Sequence, residues 1–138
     1  DCRRETERHF PLAVIVCDVD HFKAINDENG HTTGDKVLQR VARILSDSTR
    51  TNDVVSRVGG EEFLILAQCV DLDTGAAIAE KLREKIEESE IRELRGTITG
   101  SFGVAICHRF EQLNDAIELA DQHMYKAKQS GRNCVVAG

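Results

Sequence analysis

The stretch Arg57-Val58-Gly59-Gly60-Glu61-Glu62-Phe63-Leu64-Ile65-Leu66 limits the fold of this chain more than any other. Adjacent glycines accept positive φ without a Cβ penalty, so Gly59 and Gly60 predict a tight reversal. Val54 to Val58 before them and Phe63 to Leu66 after them read as strands. The product is a hairpin with neighbouring carboxylates, Glu61 and Glu62, at its turn. Glutamate has no particular preference for a hairpin tip. Paired carboxylates at a strand end suit a hard divalent cation or a proton acceptor, and the plainer reading is a solvated turn.

A chain of 138 residues with 41% hydrophobic and 30% charged content reads as one globular domain with an ordinary core. The net charge of −6 argues against a broad basic surface, so no nucleic-acid partner is expected. A local cluster of Lys and Arg beside a metal still suits a small phosphate ligand. No apolar run approaches the roughly 20 residues that span a bilayer, and nothing at the N-terminus reads as a signal peptide. A cytoplasmic domain without membrane contact is therefore expected. Cys2, Cys17, Cys69, Cys107 and Cys134 have no CxxC spacing, and four of the five fall in strand-like stretches. They are expected to be buried thiols.

In chain order, Asp1 to Phe10 is a polar lead-in. Leu12 to Cys17 is a continuous apolar run that fits a central strand. It ends at Asp18-Val19-Asp20, whose aspartates are expected to diverge to opposite faces, one into a cleft and the other bracing the turn. A short helix over Phe22 to Asn29 ends at Gly30. A second helix begins near Thr33, with Val37, Leu38, Val41, Ala42, Ile44 and Leu45 on one face. A third helix runs from Thr74 to Ser89, and a strand from Thr97 to Cys107, where Gly100 and Gly103 predict a bulge or a close backbone approach. A fourth helix covers Gln112 to Ser130 with Leu113, Ala116, Ile117, Ala120, Met124 and Ala127 inward, and Tyr125 at the rim. Asn133 to Ala137 is a last strand. The order β-α-α-β-β-α-β-α-β describes an α+β, ferredoxin-like fold, a central sheet flanked by helices.

If the first strand and the hairpin are neighbours, Asp18 and Asp20 approach Glu61 and Glu62. Carboxylates gathered this way repel unless a cation lies between them, and oxygen-only ligands favour Mg²⁺ with a phosphorylated partner. The N–H groups of the turn from Val19 to Lys23, opening a helix, suit phosphates. Lys128 and Arg132 offer a second positive arm, or merely decorate a helix C-terminus as the macrodipole favours.

These residues carry a resemblance. Gly59 to Phe63 resembles the motif that defines the GGDEF family, the bacterial diguanylate cyclases, in its GGEEF form. Asp18-Val19-Asp20-His21-Phe22-Lys23 resembles the family's D-x-D-x-F-K element. Ile25-Asn26-Asp27 and Gly30-His31-Thr32-Thr33-Gly34-Asp35 resemble its N-D and G-H-x-x-G-D elements. Ala120-Asp121 through Met124-Tyr125-Lys126-Ala127-Lys128 to Gly131-Arg132-Asn133 resembles its ending.

The resemblance implies a fold like that of nucleotidyl cyclases and the polymerase palm. It implies condensation of two GTP into cyclic di-GMP with release of pyrophosphate, using Mg²⁺ or Mn²⁺, two per active site. Asp18, Glu61, Glu62 and the Val19 carbonyl would hold the metals. Glu61 would be the base, and Lys23 would stabilise the transition state. Asn26 and Asp35 would read guanine, with Phe22, His31, Gly59 and Gly60 beside the nucleotide and Lys128 and Arg132 on its phosphates. Arg50-Thr51-Asn52-Asp53 matches the family's inhibitory R-x-x-D site for cyclic di-GMP, although on its own it reads as a helix-end Arg and a turn Asp. Catalysis would need a homodimer. The family's D-x-L-T-G-L-x-N-R-R opening is absent from Asp1 to Phe10, and a regulatory domain, which could anchor the whole protein to a membrane, is expected upstream. The alternative is a catalytically silent module that binds GTP or cyclic di-GMP, or only dimerises.

Overall fold

The computed structural model describes residues 9–92, 94 and 96–138. Most of the expected lead-in, Cys2 included, lies outside the described residues. The elements are β1 (Leu12–Val19), α1 (Phe22–Asn29), α2 (His31–Asp47), β2 (Val54–Arg57), β3 (Glu62–Gln68), α3 (Leu72–Glu88), β4 (Gly100–Cys107), a 3₁₀ turn (Phe110–Gln112), α4 (Leu113–Gln129) and β5 (Val135–Ala137). They follow the expected order. The strands form one sheet in the order β2-β3-β1-β4-β5, antiparallel except for the parallel pair β4–β5. The first four strands alternate direction in the ferredoxin-like arrangement, and β5 extends it at one edge.

β1 lies in the middle and is buried along its whole length, which is why its apolar run is unbroken. Ile15, Cys17 and Val19 join Phe63, Ile65, Phe102 and Val104 against the apolar faces of α2 and α3. Val14 and Val16 turn the other way and meet Ala116, Ala120 and Met124 of α4. Phe63 and Phe102 are fully buried, each worth roughly 2–3 kcal/mol of apolar transfer. Antiparallel register sets Asp18 opposite Glu62 on one side and Ser101 on the other. The sheet thus delivers Asp18, Glu62 and Ser101 to one end.

Several boundaries move for identifiable reasons. α2 starts at His31 because Gly30, at φ 88°, closes α1 by donating to the Asn26 carbonyl at 2.8 Å and leads directly into the next helix. α3 starts at Leu72 because the Asp71 carboxylate accepts the Thr74 N–H at 2.8 Å, a cap worth about 1 kcal/mol. Gly103 sits in regular pairing opposite Val16, so there is no bulge there. It is a close approach instead: a Cβ would lie 1.9 Å from the Ala120 carbonyl oxygen and 2.3 Å from the Met124 nitrogen. His123 joins the inward face of α4, buried with Nδ1 3.0 Å from the Val104 carbonyl oxygen.

Three expectations need correction. Cys17 and Cys107 are buried and Cys134 is half-buried, but Cys69 is exposed at φ 58°, because β3 ends at Gln68 and the chain turns there. Gly59 and Gly60 do not use positive φ; among the described residues the glycines that do are Gly30, Gly96 and Gly131. The reversal is held instead by Arg57, whose Nε donates to the carbonyls of Gly59 and Gly60 at 3.2 and 3.1 Å. Asp18 and Asp20 do not diverge to opposite faces of a strand, because β1 ends at Val19 and Asp20 lies in the turn beyond it. Asp18 reaches Lys128 on α4, and Asp20 bonds Ser101, the residue paired in register with Asp18.

Candidate active site

Asp18 is the centre of the site. It is only 6% exposed, its Oδ2 lies 2.9 Å from Lys128 Nζ, and its Oδ1 is buried with no partner. Burial pushes its carboxyl up from the ordinary range; Lys128 opposes that shift, while Glu61 and Asp20 add to it. Glu62 is also pushed up, first by burial and then by Asp121, Asp18 and Glu61. Asp121, from the middle of α4, lies beside Glu62 in the same cleft, close enough to raise its carboxyl. Asp18, Glu62, Asp121, Tyr125 and Lys128 line one cleft of about 750 Å³. The sequence motif contains Asp121 without marking a role for it; only the packing of α4 across the sheet brings it to the hairpin.

Asp20 is the brace. Its buried carboxylate accepts from Thr99 Oγ1 at 2.7 Å, Ser101 Oγ at 2.5 Å and the Asn133 N–H at 3.0 Å. The anion-binding turn is narrower than expected, because the Val19 and Asp20 N–H groups are spent on Glu61 and Thr99 carbonyls. What remains is the first turn of α1, whose N–H groups lack intrahelical acceptors. Lys23 is exposed there and Phe22 half-buried.

The cationic arm is built by the way α4 ends. The Arg132 N–H reaches the Ala127 carbonyl at 3.0 Å and the Gly131 N–H the Lys128 carbonyl at 3.4 Å, the two bonds of a Schellman motif. Gly131 takes φ 113°, and Arg132 and Asn133 follow at 65° and 48°. Left-handed geometry costs roughly 1–2 kcal/mol for each residue with a Cβ. Lys128 therefore sits on the last helical turn while exposed Arg132 projects from the left-handed segment beyond it.

Between α1 and α2, Asn26 Oδ1 is buried without a partner. A Cβ on Gly34 would lie 1.7 Å from that oxygen and 3.3 Å from Phe22 Cζ, so only glycine leaves the Asn26 side chain in place. Asp35 and His31 are exposed on the neighbouring turns of α2.

Arg50 and Asp53 stand apart, at the far end of β3. Arg50 Nε and Nη2 donate to the two Asp53 oxygens at 3.2 and 3.3 Å, and the Gln68 N–H donates to Oδ1 at 3.1 Å. Arg50 Nη2 also reaches the Gln68 carbonyl. Burial would raise the Asp53 carboxyl, but the bonds from Arg50 and Gln68 outweigh it and hold it below the ordinary range.

An α+β domain with orphaned carboxylate and amide oxygens and a cationic arm at one end of its sheet has the form of a nucleotide-handling domain. The chain belongs to the diguanylate cyclase GGDEF-domain family, whose profile matches residues 2–134. It is 37% identical over 131 residues to the probable diguanylate cyclase DgcT of Escherichia coli, covering 91% of this chain and 29% of that protein. It is 37% identical to diguanylate cyclase A of Treponema denticola, covering 94% and 36%. The chain thus spans about a third of the curated relatives it matches. Among solved structures, the active GGEEF domain of a Vibrio cholerae diguanylate cyclase aligns with a TM-score of 0.86 at 35% identity, covering 92% of this chain and 82% of that one. The GGDEF domain of DgcB from Caulobacter crescentus, in complex with c-di-GMP, aligns at 0.88 and 32% identity, covering 99% and 82%. Among the described residues no helix is long and apolar enough to cross a membrane.

Proposed function

We propose that this domain condenses two GTP molecules into cyclic di-GMP, releasing two pyrophosphates. The observation that carries this reading is Asp18: a buried carboxylate among other carboxylates, with one oxygen on Lys128 and the other unpartnered. Family membership supplies the substrate class.

The donor set fits a hard divalent cation. Asp18, with its buried and unpartnered Oδ1, and Glu62 line the same cleft and offer the oxygen donors such a cation takes, its shell then completed by main chain, water and phosphate oxygens. Asp18 Oδ1, the Val19 carbonyl, Glu61 and Glu62 would hold Mg²⁺ or Mn²⁺, two per site. When bound, such a cation acidifies the ribose 3′-hydroxyl and draws charge from the α-phosphate.

The chain's own groups do the rest. Glu61 takes the 3′-hydroxyl proton as the new ester bond forms and the bond from the α-phosphorus to pyrophosphate breaks. Lys23 neutralises charge gathering on the transferred phosphoryl group. Lys128, 2.9 Å from Asp18 in the empty cleft, would turn to the phosphates were Asp18 engaged by a cation, and Arg132 would grip them from outside. Asn26 Oδ1 and the Asp35 carboxylate accept the N–H groups of guanine's edge, with Phe22 and His31 flanking the base. Nothing stands within 4 Å of a Cβ position on Gly60, so the tip leaves room for the nucleotide.

One site holds one GTP, and two ester bonds are needed, so two copies face each other about a two-fold axis. Arg50 and Asp53 receive the product, giving feedback inhibition, once their mutual bonds exchange for guanine. The test is incubation of the full-length, dimeric protein with GTP and Mg²⁺, followed by chromatography. Cyclic di-GMP is expected; its absence, with product binding retained, would identify a silent receptor.

A further inference from the structure

The segment that carries Arg132 is expensive to hold, and the structure reveals what holds it. Arg132 and Asn133 are consecutive left-handed residues with side chains, a geometry that persists only when its surroundings over-determine it. From below, the Asn133 N–H is fixed by Asp20 at 3.0 Å. From the side, the Asn133 amide is clasped by α3: Arg83 Nη1 donates to its Oδ1 at 2.9 Å, and its Nδ2 donates to Glu87. Arg83 is itself locked, with Nε 2.9 Å from Glu80 Oε1, Nη1 3.5 Å from Glu87 Oε1 and a side chain only 15% exposed. The opposite ends of the segment are tied by the Arg132 N–H to Ala127 and by the Cys134 carbonyl, which accepts the Phe102 N–H at 2.9 Å.

We propose that Arg83, on α3, is a positioning residue for nucleotide binding: through Asn133 it holds the left-handed segment that aims Arg132 at the phosphates. Arg83 touches no nucleotide in this scheme. Its planar fork meets three partners at once, which a lysine cannot do. Asp20 secures the backbone of the segment, and Arg83 secures its rotation about that anchor. The inference rests on the phosphate role of Arg132 proposed above, and the test separates the two.

The full-length protein and its Arg83→Ala, Asn133→Ala, Arg132→Ala and Arg83→Ala/Arg132→Ala variants are titrated with α,β-methylene-GTP and Mg²⁺, and their thermal unfolding is recorded. Glu80 and Glu87 are 45% and 43% exposed, so losing Arg83 leaves them solvated and the fold intact. Arg83→Ala and Asn133→Ala are each expected to weaken binding about tenfold, the scale of one charge-assisted hydrogen bond. In the Arg132→Ala background, Arg83→Ala is expected to add nothing; a further variant, Arg83→Lys with Arg132 in place, is expected to recover only part of the affinity that Arg83→Ala loses. Independent, multiplying effects of Arg83 and Arg132 would overturn the inference, as would undiminished binding by Arg83→Ala while Arg132→Ala binds weakly. If Arg132→Ala itself binds normally, the phosphate role fails first and the inference falls with it.

Discussion

The two ends of β3 hold similar residues in opposite states. At one end Glu62 faces Asp18 and Asp121, carboxylates with too few cations, and burial drives the Asp18 and Glu62 carboxyls above their ordinary range. At the other end, six residues and roughly 20 Å along the strand, Asp53 has every bond it needs and titrates below that range. Both ends belong to the same sheet and the same core. The difference lies in who completes the site. Asp53 is satisfied by its own chain, so its local geometry alone accounts for it, whereas Asp18 Oδ1 and Asn26 Oδ1 await groups the chain does not supply. Buried polar atoms left without partners cost stability and call for an explanation; the nucleotide and cation proposed above would provide one.

The sharpest way to break this contrast is Glu61→Gln. Removal of the proposed base and metal ligand is expected to lower kcat by at least ~10²-fold while circular dichroism stays that of the folded protein. Near-normal turnover would return the hairpin tip to a solvated turn. Gly34→Ala acts on the same end more gently. The new methyl displaces Asn26, and helix propensity offsets part of the strain, so KM for GTP should rise about tenfold with little change in Tm. An unchanged KM would separate Asn26 from guanine recognition. At the far end, Arg50→Ala is expected to weaken inhibition by cyclic di-GMP several-fold, on the scale of one lost charge-assisted bond, while the initial rate, read before product accumulates, is retained. Unaltered inhibition would leave Arg50 and Asp53 as a turn and nothing more.

Sequence periodicity made the sheet and its helices legible because β1, α2, α3 and α4 bury faces with clear repeats, from Leu12–Val19 to the Ala116, Ala120 and Ala127 stripe. It failed where a property belongs to no single element. Asp121 meets Glu62 only because α4 crosses the sheet, and Arg83 meets Asn133 fifty positions away. His123 was readable in principle, since it lies three residues after Ala120 on the inward face, but a polar residue interrupts the pattern that such counting seeks. Cys69 misled for the reverse reason: an apolar-looking run continued past the point where β3 stops pairing. Adjacent glycines at the tip suggest a conformational role, yet Arg57 holds the turn with hydrogen bonds. The orphaned oxygens of Asp18 and Asn26 arise only from packing, although motif spacing marks both residues.

The smallest effects test the comparison most directly, because their signs are opposite. A carboxyl whose folded pKa is raised contributes stability that is present at low pH and is lost as pH rises through the folded value, so Asp18 opposes folding at neutral pH. A carboxyl whose folded pKa is depressed contributes stability above the ordinary carboxylate range and loses it as pH falls, so Asp53 favours folding at neutral pH. Without divalent cations at pH 7, Asp18→Asn should therefore raise Tm by roughly 2–5 °C, and Asp53→Ala should lower stability by about 2 kcal/mol. Near the bottom of the carboxylate range both differences should shrink toward the loss of packing alone. Added Mg²⁺ should raise the Tm of the wild-type domain and not that of Asp18→Asn. A Tm that falls in Asp18→Asn would mean that the Lys128 pair outweighs the crowding of carboxylates, and the active-site end would then be as self-sufficient as the end that carries Asp53.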